Sequence, residues 1–297
     1  MNKKKILVLG AGGMLGHMLF SKLSGSEDMD VYGTVRNKDK IVGLLDVALC
    51  SRVIENVDAN DFASIQRTIS EIKPDITINC IGIIKQLPGS NDPVTAIGIN
   101  SLLPHKIAGI CAGAGCRLIH FSTDCVFDGK KGNYSEADAP TAADLYGRTK
   151  FLGEVAGQNC LTIRTSIIGH ELGTHYGLIE WFLAQKKTVS GYRKAIFSGF
   201  PTVEIARILS EYVIPDGGLN GLCQVSSEPI SKFDLLKLVA KVYGKDIEIV
   251  PSDAVDENRS LDSDRFRRIT GYKPPEWETL IEDMRENYIN SPCYNEK

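Results

Sequence analysis

An apolar run, Lys5-Ile6-Leu7-Val8-Leu9, leads directly into Gly10-Ala11-Gly12-Gly13-Met14-Leu15-Gly16. No other segment restricts the fold as strongly. A short apolar run bounded by glycine reads as a strand buried on both faces, and Met14 to Leu23 as the helix that follows it. A strand of that kind belongs to a parallel sheet with helices covering both sides. In the turn, Gly10 would allow the tight bend, Gly13 would let backbone N–H groups approach a pyrophosphate, and Gly16 would let helix pack closely on strand. The helix N-terminus adds partial positive charge. The spacing is G-x-x-G-x-x-G, with Leu15 where the dehydrogenase pattern G-x-G-x-x-G has its last glycine. Alone it is a tight β–α turn. Set between a clear strand and helix, it predicts a dinucleotide held by Gly10, Gly12, Gly13, Met14, Leu15 and Gly16.

The alternation continues through the first half. Asp30 to Val35, Ile76 to Cys80 and Arg117 to Phe121 read as strands, while Phe62 to Ile72 and Leu102 to Ala112 read as helices. Such βαβ units with right-handed crossovers give an α/β fold, a doubly wound, Rossmann-like parallel sheet with ligands at the carboxyl ends of its strands. After about residue 165 the pattern loosens. Gly169 to Gly177 reads as a surface loop, and Val203 to Val213 and Ser231 to Val242 as helices, the latter opening on the capping box Ser231-Lys232-Phe233-Asp234. The expectation is a dinucleotide-binding domain over residues 1–166 and a smaller C-terminal substrate-binding domain over 167–297, with segments free to return to the first.

Lys plus Arg number 34 against 37 Asp plus Glu, so the net charge of -3 asks for neither nucleic acid nor a membrane surface. No apolar run approaches the ~18 residues of a membrane span. The basic start followed by apolar residues imitates a signal peptide, but glycines interrupt it and no small-residue cleavage site follows. Eight cysteines without C-x-x-C suit free thiols in a reducing cytosol. His17, His105, His120, His170 and His175 lack ligand spacing, so no metal is expected.

About 20 residues beyond the turn, an NAD-specific fold would place an acid against the ribose 2′-hydroxyl. The chain has Arg36 there, which could bind a 2′-phosphate in bidentate fashion. That leans to NADPH, with NADH possible. Asp58, ending a third strand, could accept from an adenine amino group or cap the next helix.

Tyr146-Gly147-Arg148-Thr149-Lys150 is a Tyr-x-x-x-Lys pair, and i and i+4 side chains share a helix face. A nearby ammonium would lower a phenol pKa from near ~10. A tuned phenol suits delivery of a proton to the alkoxide formed when hydride reduces a ketone. Phe121-Ser122-Thr123-Asp124 ends a buried strand, where the Thr123 hydroxyl, or less readily that of Ser122, could hold a carbonyl oxygen beside Tyr146.

These motifs, with Cys125-Val126-Phe127-Asp128-Gly129, Tyr134-Ser135-Glu136, Gly153-Glu154, Arg164-Thr165-Ser166, Pro201-Thr202 and Arg259-Ser260-Leu261-Asp262, make the sequence resemble the extended short-chain dehydrogenase/reductases. Within them it looks most like the dTDP-4-dehydrorhamnose reductases. The resemblance implies an NAD(P)-dependent oxidoreductase with Thr123, Tyr146 and Lys150 as the catalytic group and Thr123-Asp124 touching a sugar. It places Cys80, Ile81 and Gly82 along the cofactor and Asn100 in support of Lys150. Substrate contacts extend to Ile167, where family reductases commonly carry Trp, and to Arg259, for which a structural ion pair is the competing reading. Related dehydratases follow Thr-Asp with Glu; Cys125 stands there instead and disfavours elimination. The expected reaction is NADPH-dependent reduction of a nucleotide-linked 4-keto-6-deoxysugar, with a homodimer as a possible assembly. An epimerase of the same fold, or a non-catalytic NADP-binding regulatory subunit, are the alternatives.

Overall fold

The inner strands of the main sheet form over short, mostly apolar and β-branched runs such as Ile6-Leu7-Val8-Leu9 and Ile76-Thr77-Ile78. In chain order the strands are β1 (Lys4–Leu9), β2 (Met29–Thr34), β3 (Val53–Ile54), β4 (Ile76–Asn79), β5 (Arg117–Ser122), β6 (Cys160–Arg164), β7 (Ile167–Ile168), β8 (Thr188–Phe197), β9 (Phe200–Pro201), β10 (Gly221–Gln224), β11 (Ile230–Ser231) and β12 (Glu248–Asn258). The structure is a computed structural model and describes residues 3–42, 45, 47–85 and 90–294. Seven strands make one parallel sheet in the order β10-β6-β5-β4-β1-β2-β3. The chain moves outward from β1 in both directions, so the strand order reverses between β1 and β4. That reversal opens a crevice at the carboxyl ends of the strands.

Side-chain alternation along β1 shows why both faces are covered. Ile6 and Val8 pack with Leu15, Leu19, Ile205 and Phe266 on one face, and Leu7 and Leu9 with Ile65, Ile69 and Ile107 on the other. The second half supplies β10 to this sheet, and helix Thr202–Ile208 packs on helix Met14–Ser24. The rest of that half forms a smaller layer in which β8 lies between β11 and β12. Helices Leu178–Ala184, Lys232–Tyr243 and Trp277–Asn290 bury Ile179, Phe182, Leu235 and Ile281 beside it. Ser231 caps Lys232–Tyr243 by accepting from the Asp234 amide, and Gly244 ends that helix in the left-handed region.

Two expectations are corrected here. β3 ends at Ile54, so Asp58 lies beyond the strand, in a turn. His170 and Glu171, expected on a surface loop, are buried, because the Glu171 carboxylate accepts from the Tyr176 and Gly177 amides and folds the loop inward.

Candidate active site

The glycine turn is built by close backbone contact. Gly10 has φ +82°, its amide donates to Thr34 Oγ1 at 3.2 Å, and the Ala11 amide donates to the Thr34 carbonyl at 2.8 Å. A Cβ on Gly16 would sit 2.1 Å from the Gly10 carbonyl oxygen, so no larger residue fits. Gly13 precedes helix Met14–Ser24, whose first-turn amides at Met14, Leu15 and Gly16 have no intrahelical acceptor. Gly12 faces Val35 and Ile41, and Arg36 stands exposed one residue beyond Val35. The structure thus brings Arg36 to the rim of the glycine turn. Asp58 Oδ1 accepts from the Asn60 amide at 2.9 Å, and the N-cap position of the next helix is Asp61, whose side chain makes no capping bond.

Across the crevice, the Cys80 amide donates to the Leu9 carbonyl at 3.0 Å, and Ile81 Cγ1 would meet a Cβ on Gly10 at 3.1 Å. The Cys80-Ile81-Gly82 segment therefore abuts the glycine turn. The Asn100 side chain bonds the turn after β4 and reaches Thr149, the residue before Lys150. Its Oδ1 accepts from the Ile83 amide at 2.9 Å, and its Nδ2 donates to the Ile83 carbonyl at 3.0 Å and lies 3.4 Å from Thr149 Oγ1. It shapes the turn after β4, while Lys150 Nζ donates to the Phe121 carbonyl at 2.6 Å.

Thr123, just past β5, accepts from the Cys125 amide at 3.1 Å and donates to Asp124 Oδ1 at 3.2 Å. Helix Leu145–Leu152 presses onto this loop through Gly147, where a Cβ would lie 2.2 Å from the Cys125 carbonyl oxygen. That contact sets Tyr146 beside Thr123. Asp144 caps the helix by accepting from the Gly147 amide at 2.9 Å.

The electrostatics correct one expectation. Burial pushes the Tyr146 phenol up, helped by Cys125, Asp124 and Asp144 and opposed by the Thr123 hydroxyl. Desolvation dominates, so the phenol is not acidified. Burial also brings the Lys150 ammonium down to about 8, opposed by Glu154 and Cys80. Burial raises the Cys125 thiol to about 12, with Asp124 adding to it.

A buried polar row supports the loop. Arg164 forks onto Glu154 at 2.6 and 2.7 Å, and Ser122 Oγ donates to Glu154 Oε1 at 2.7 Å. Glu154 lies just beyond the end of helix Leu145–Leu152, two residues after Leu152. Ile167 is half-buried against the main core, and Arg259 donates to the Phe127 carbonyl at 2.9 Å and pairs with Glu257 at 2.7 Å. The ion-pair reading of Arg259 is therefore the one its geometry fits. Sequence reasoning missed Lys85, whose Nζ lies 3.0 Å from Asp144 Oδ2 and 5.6 Å from the centroid of the Tyr146 ring. No local pattern links positions so far apart. Among the described residues no group of His, Cys, Asp and Glu could hold a metal ion, and no helix is long and apolar enough to cross a membrane.

Residues 4–290 match the family described as RmlD substrate binding domain. A probable low-salt glycan biosynthesis reductase of Haloferax volcanii is 26% identical over 84% of this chain and 83% of its own. The methionine adenosyltransferase 2 subunit beta of Mus musculus is 28% identical over 81% of this chain and 72% of its own. The crystal structure of dTDP-4-dehydrorhamnose reductase from Bacillus anthracis in complex with NADP superimposes with a TM-score of 0.78 at 21% identity, covering 97% of this chain and 99% of that one. The chain belongs to the RmlD substrate binding domain family and has the fold of that Bacillus anthracis reductase.

Proposed function

We propose that this protein reduces a nucleotide-linked 4-keto-6-deoxysugar with NADPH, as a dTDP-4-dehydrorhamnose reductase does, in deoxysugar or cell-surface polysaccharide biosynthesis. The observation that carries the reading is the meeting of Thr123, Tyr146 and Lys150 at the carboxyl end of β5, in the crevice where the strand order reverses.

The glycine turn fits a pyrophosphate, since Gly13 leaves the N-terminus of helix Met14–Ser24 without a covering side chain and the first-turn amides there have no intrahelical acceptor. Gly10, Gly12, Gly13, Met14, Leu15 and Gly16 would hold it, Arg36 would take the 2′-phosphate, and Asp58, Cys80, Ile81 and Gly82 would line the rest. The cofactor supplies hydride to the keto carbon when bound. Thr123 orients the carbonyl oxygen, and Tyr146 delivers the proton to it. Burial suits that role, because a phenol with a raised pKa keeps its proton until a stronger base, the developing alkoxide, is beside it. Lys150, which donates one N–H to the Phe121 carbonyl, would use another to hold the nicotinamide ribose. Asp124 and Ile167 contact the sugar, and Arg259, proposed from the resemblance as a further substrate contact, is engaged with Phe127 and Glu257. The Cys125 thiol, held protonated, supplies no carboxylate for elimination, which argues against dehydration.

We further propose that residues 1–166 mainly bind the dinucleotide and 167–297 mainly the substrate, and that the reaction is cytosolic. The homodimer stays part of the proposal, supported by exposed Val94, Ile97, Phe151 and Leu152 on neighbouring helices. The likeness to the methionine adenosyltransferase subunit favours a second reading, a non-catalytic NADP-binding regulatory subunit. Absorbance at the NADPH band, followed with dTDP-, UDP- and GDP-linked 4-keto sugars, tests both. Stoichiometric oxidation with one of them supports the reductase. Oxidation with none supports the regulatory reading, and isomerisation of the sugar without net oxidation identifies an epimerase.

A further inference from the structure

We propose that Lys85 is a positioning residue for the proton donor: its ammonium ties the turn after β4 to the helix that carries Tyr146 and holds the phenol ring in register with Thr123. The proposal rests on the reading of Tyr146 as proton donor.

Three observations support it. The Lys85 ammonium contacts both Asp144, the cap of helix Leu145–Leu152, and the face of the Tyr146 ring. A cation over a ring face is attracted by the ring quadrupole and resists its rotation. Second, Lys85 and Asp144 have side chains 40% and 44% exposed, and ion pairs at that exposure add little to stability. The consequence of the pair falls instead on the ring beneath it. Third, Lys150 is committed to the Phe121 carbonyl, which leaves Lys85 as the cation recorded over this ring among the described residues.

The groups facing the phenol come from three elements: Thr123, Asp124 and Cys125 from the loop after β5, Asp144 from the helix cap, and Lys85 from the turn after β4. The Asp144 carboxylate disfavours ionisation of the phenol, and Lys85 neutralises that carboxylate. Without Lys85 the ring loses its cation and faces an Asp144 carboxylate that has lost its ammonium partner.

Kinetics of the full-length protein with NADPH and its active keto-sugar nucleotide test this with Lys85→Gln and Lys85→Arg. Lys85→Gln is expected to lower kcat by about fivefold to tenfold with both KM values nearly unchanged, and Lys85→Arg to restore most of it. An unchanged kcat, or a raised sugar-nucleotide KM at constant kcat, overturns the proposal; the latter makes Lys85 a substrate-phosphate contact. A second measurement needs no substrate. In protein labelled with fluorotyrosine, the ¹⁹F signal lost in Tyr146→Phe is expected to shift in Lys85→Gln and to return in Lys85→Arg. A signal that stays in place in Lys85→Gln also overturns it. Full turnover in Tyr146→Phe would instead overturn the proton-donor reading, whatever the ¹⁹F signal shows.

Discussion

His17 Nε2 lies 2.5 Å from the Tyr294 hydroxyl oxygen, joining the helix behind the glycine turn to the C-terminal segment across 277 positions of sequence. His17 Nδ1 is 2.9 Å from the Gly13 carbonyl, which can only accept, so Nδ1 carries the proton and Nε2 accepts from the phenol. Tyr294 in turn lies against Tyr288 and His170, and His170 stacks on Tyr288 at 3.9 Å while donating to Glu180 at 2.8 Å. Tyr294 is thereby tied to the turn proposed to hold the pyrophosphate. Tyr294→Phe should cost about 1–2 kcal/mol in urea unfolding by leaving a buried acceptor unpaired. It should also raise the KM for NADPH through a looser Gly13. Unaltered stability would show that the contact is dispensable.

The same histidine makes stability depend on pH. Burial lowers the His17 pKa from 6.5 to about 4 in the folded protein. Between those values the unfolded chain binds the extra proton, so stability rises with pH through that window and is lost as pH falls through it. The full contribution is about 3 kcal/mol. Urea midpoints measured across the window should show this slope, and His17→Gln should reduce it, the remainder coming from buried His120, whose pKa burial also lowers. An equal slope in the variant would assign the effect to other groups.

Tyr146→Phe removes the transferable proton and keeps the ring. Turnover should fall by orders of magnitude while NADPH affinity, read by quenching of its fluorescence, stays nearly constant. Wild-type turnover would end the assignment of Tyr146.

Lys150 sits near 8 because burial disfavours its ammonium. Its proton leaves as pH rises through that value, so kcat/KM, which reports the free enzyme, should decline above about pH 8. Lys150→Met should lose this alkaline limb along with most of the activity. A profile that stays flat well beyond that pH would mean that the charged form is not required.

Glu154→Gln strips the buried Arg164 guanidinium of its charge partner. Removing one member of a buried pair costs about 3–5 kcal/mol, so the melting temperature should drop by several degrees. Because Ser122 bonds the same carboxylate one residue before Thr123, kcat should also fall. A small change in both would show that water replaces the carboxylate.

How much was readable in advance follows from the range of each interaction. The glycine turn, the βαβ alternation, the Ser231 cap and the Tyr146–Lys150 pair were visible in the sequence because each is a local requirement. A positive φ, a backbone approach that excludes Cβ, a period of two or 3.6 and an i, i+4 face are written in consecutive residue types. Tertiary structure alone decided that Asn100 bonds Ile83, that Arg259 pairs with Glu257, that His170 is buried, that Lys85 reaches the Tyr146 ring and that Tyr294 reaches His17. It also decided the direction in which the Tyr146 proton is held. Those outcomes depend on burial and on distances between residues remote along the chain, and residue identity carries neither until the layers have packed.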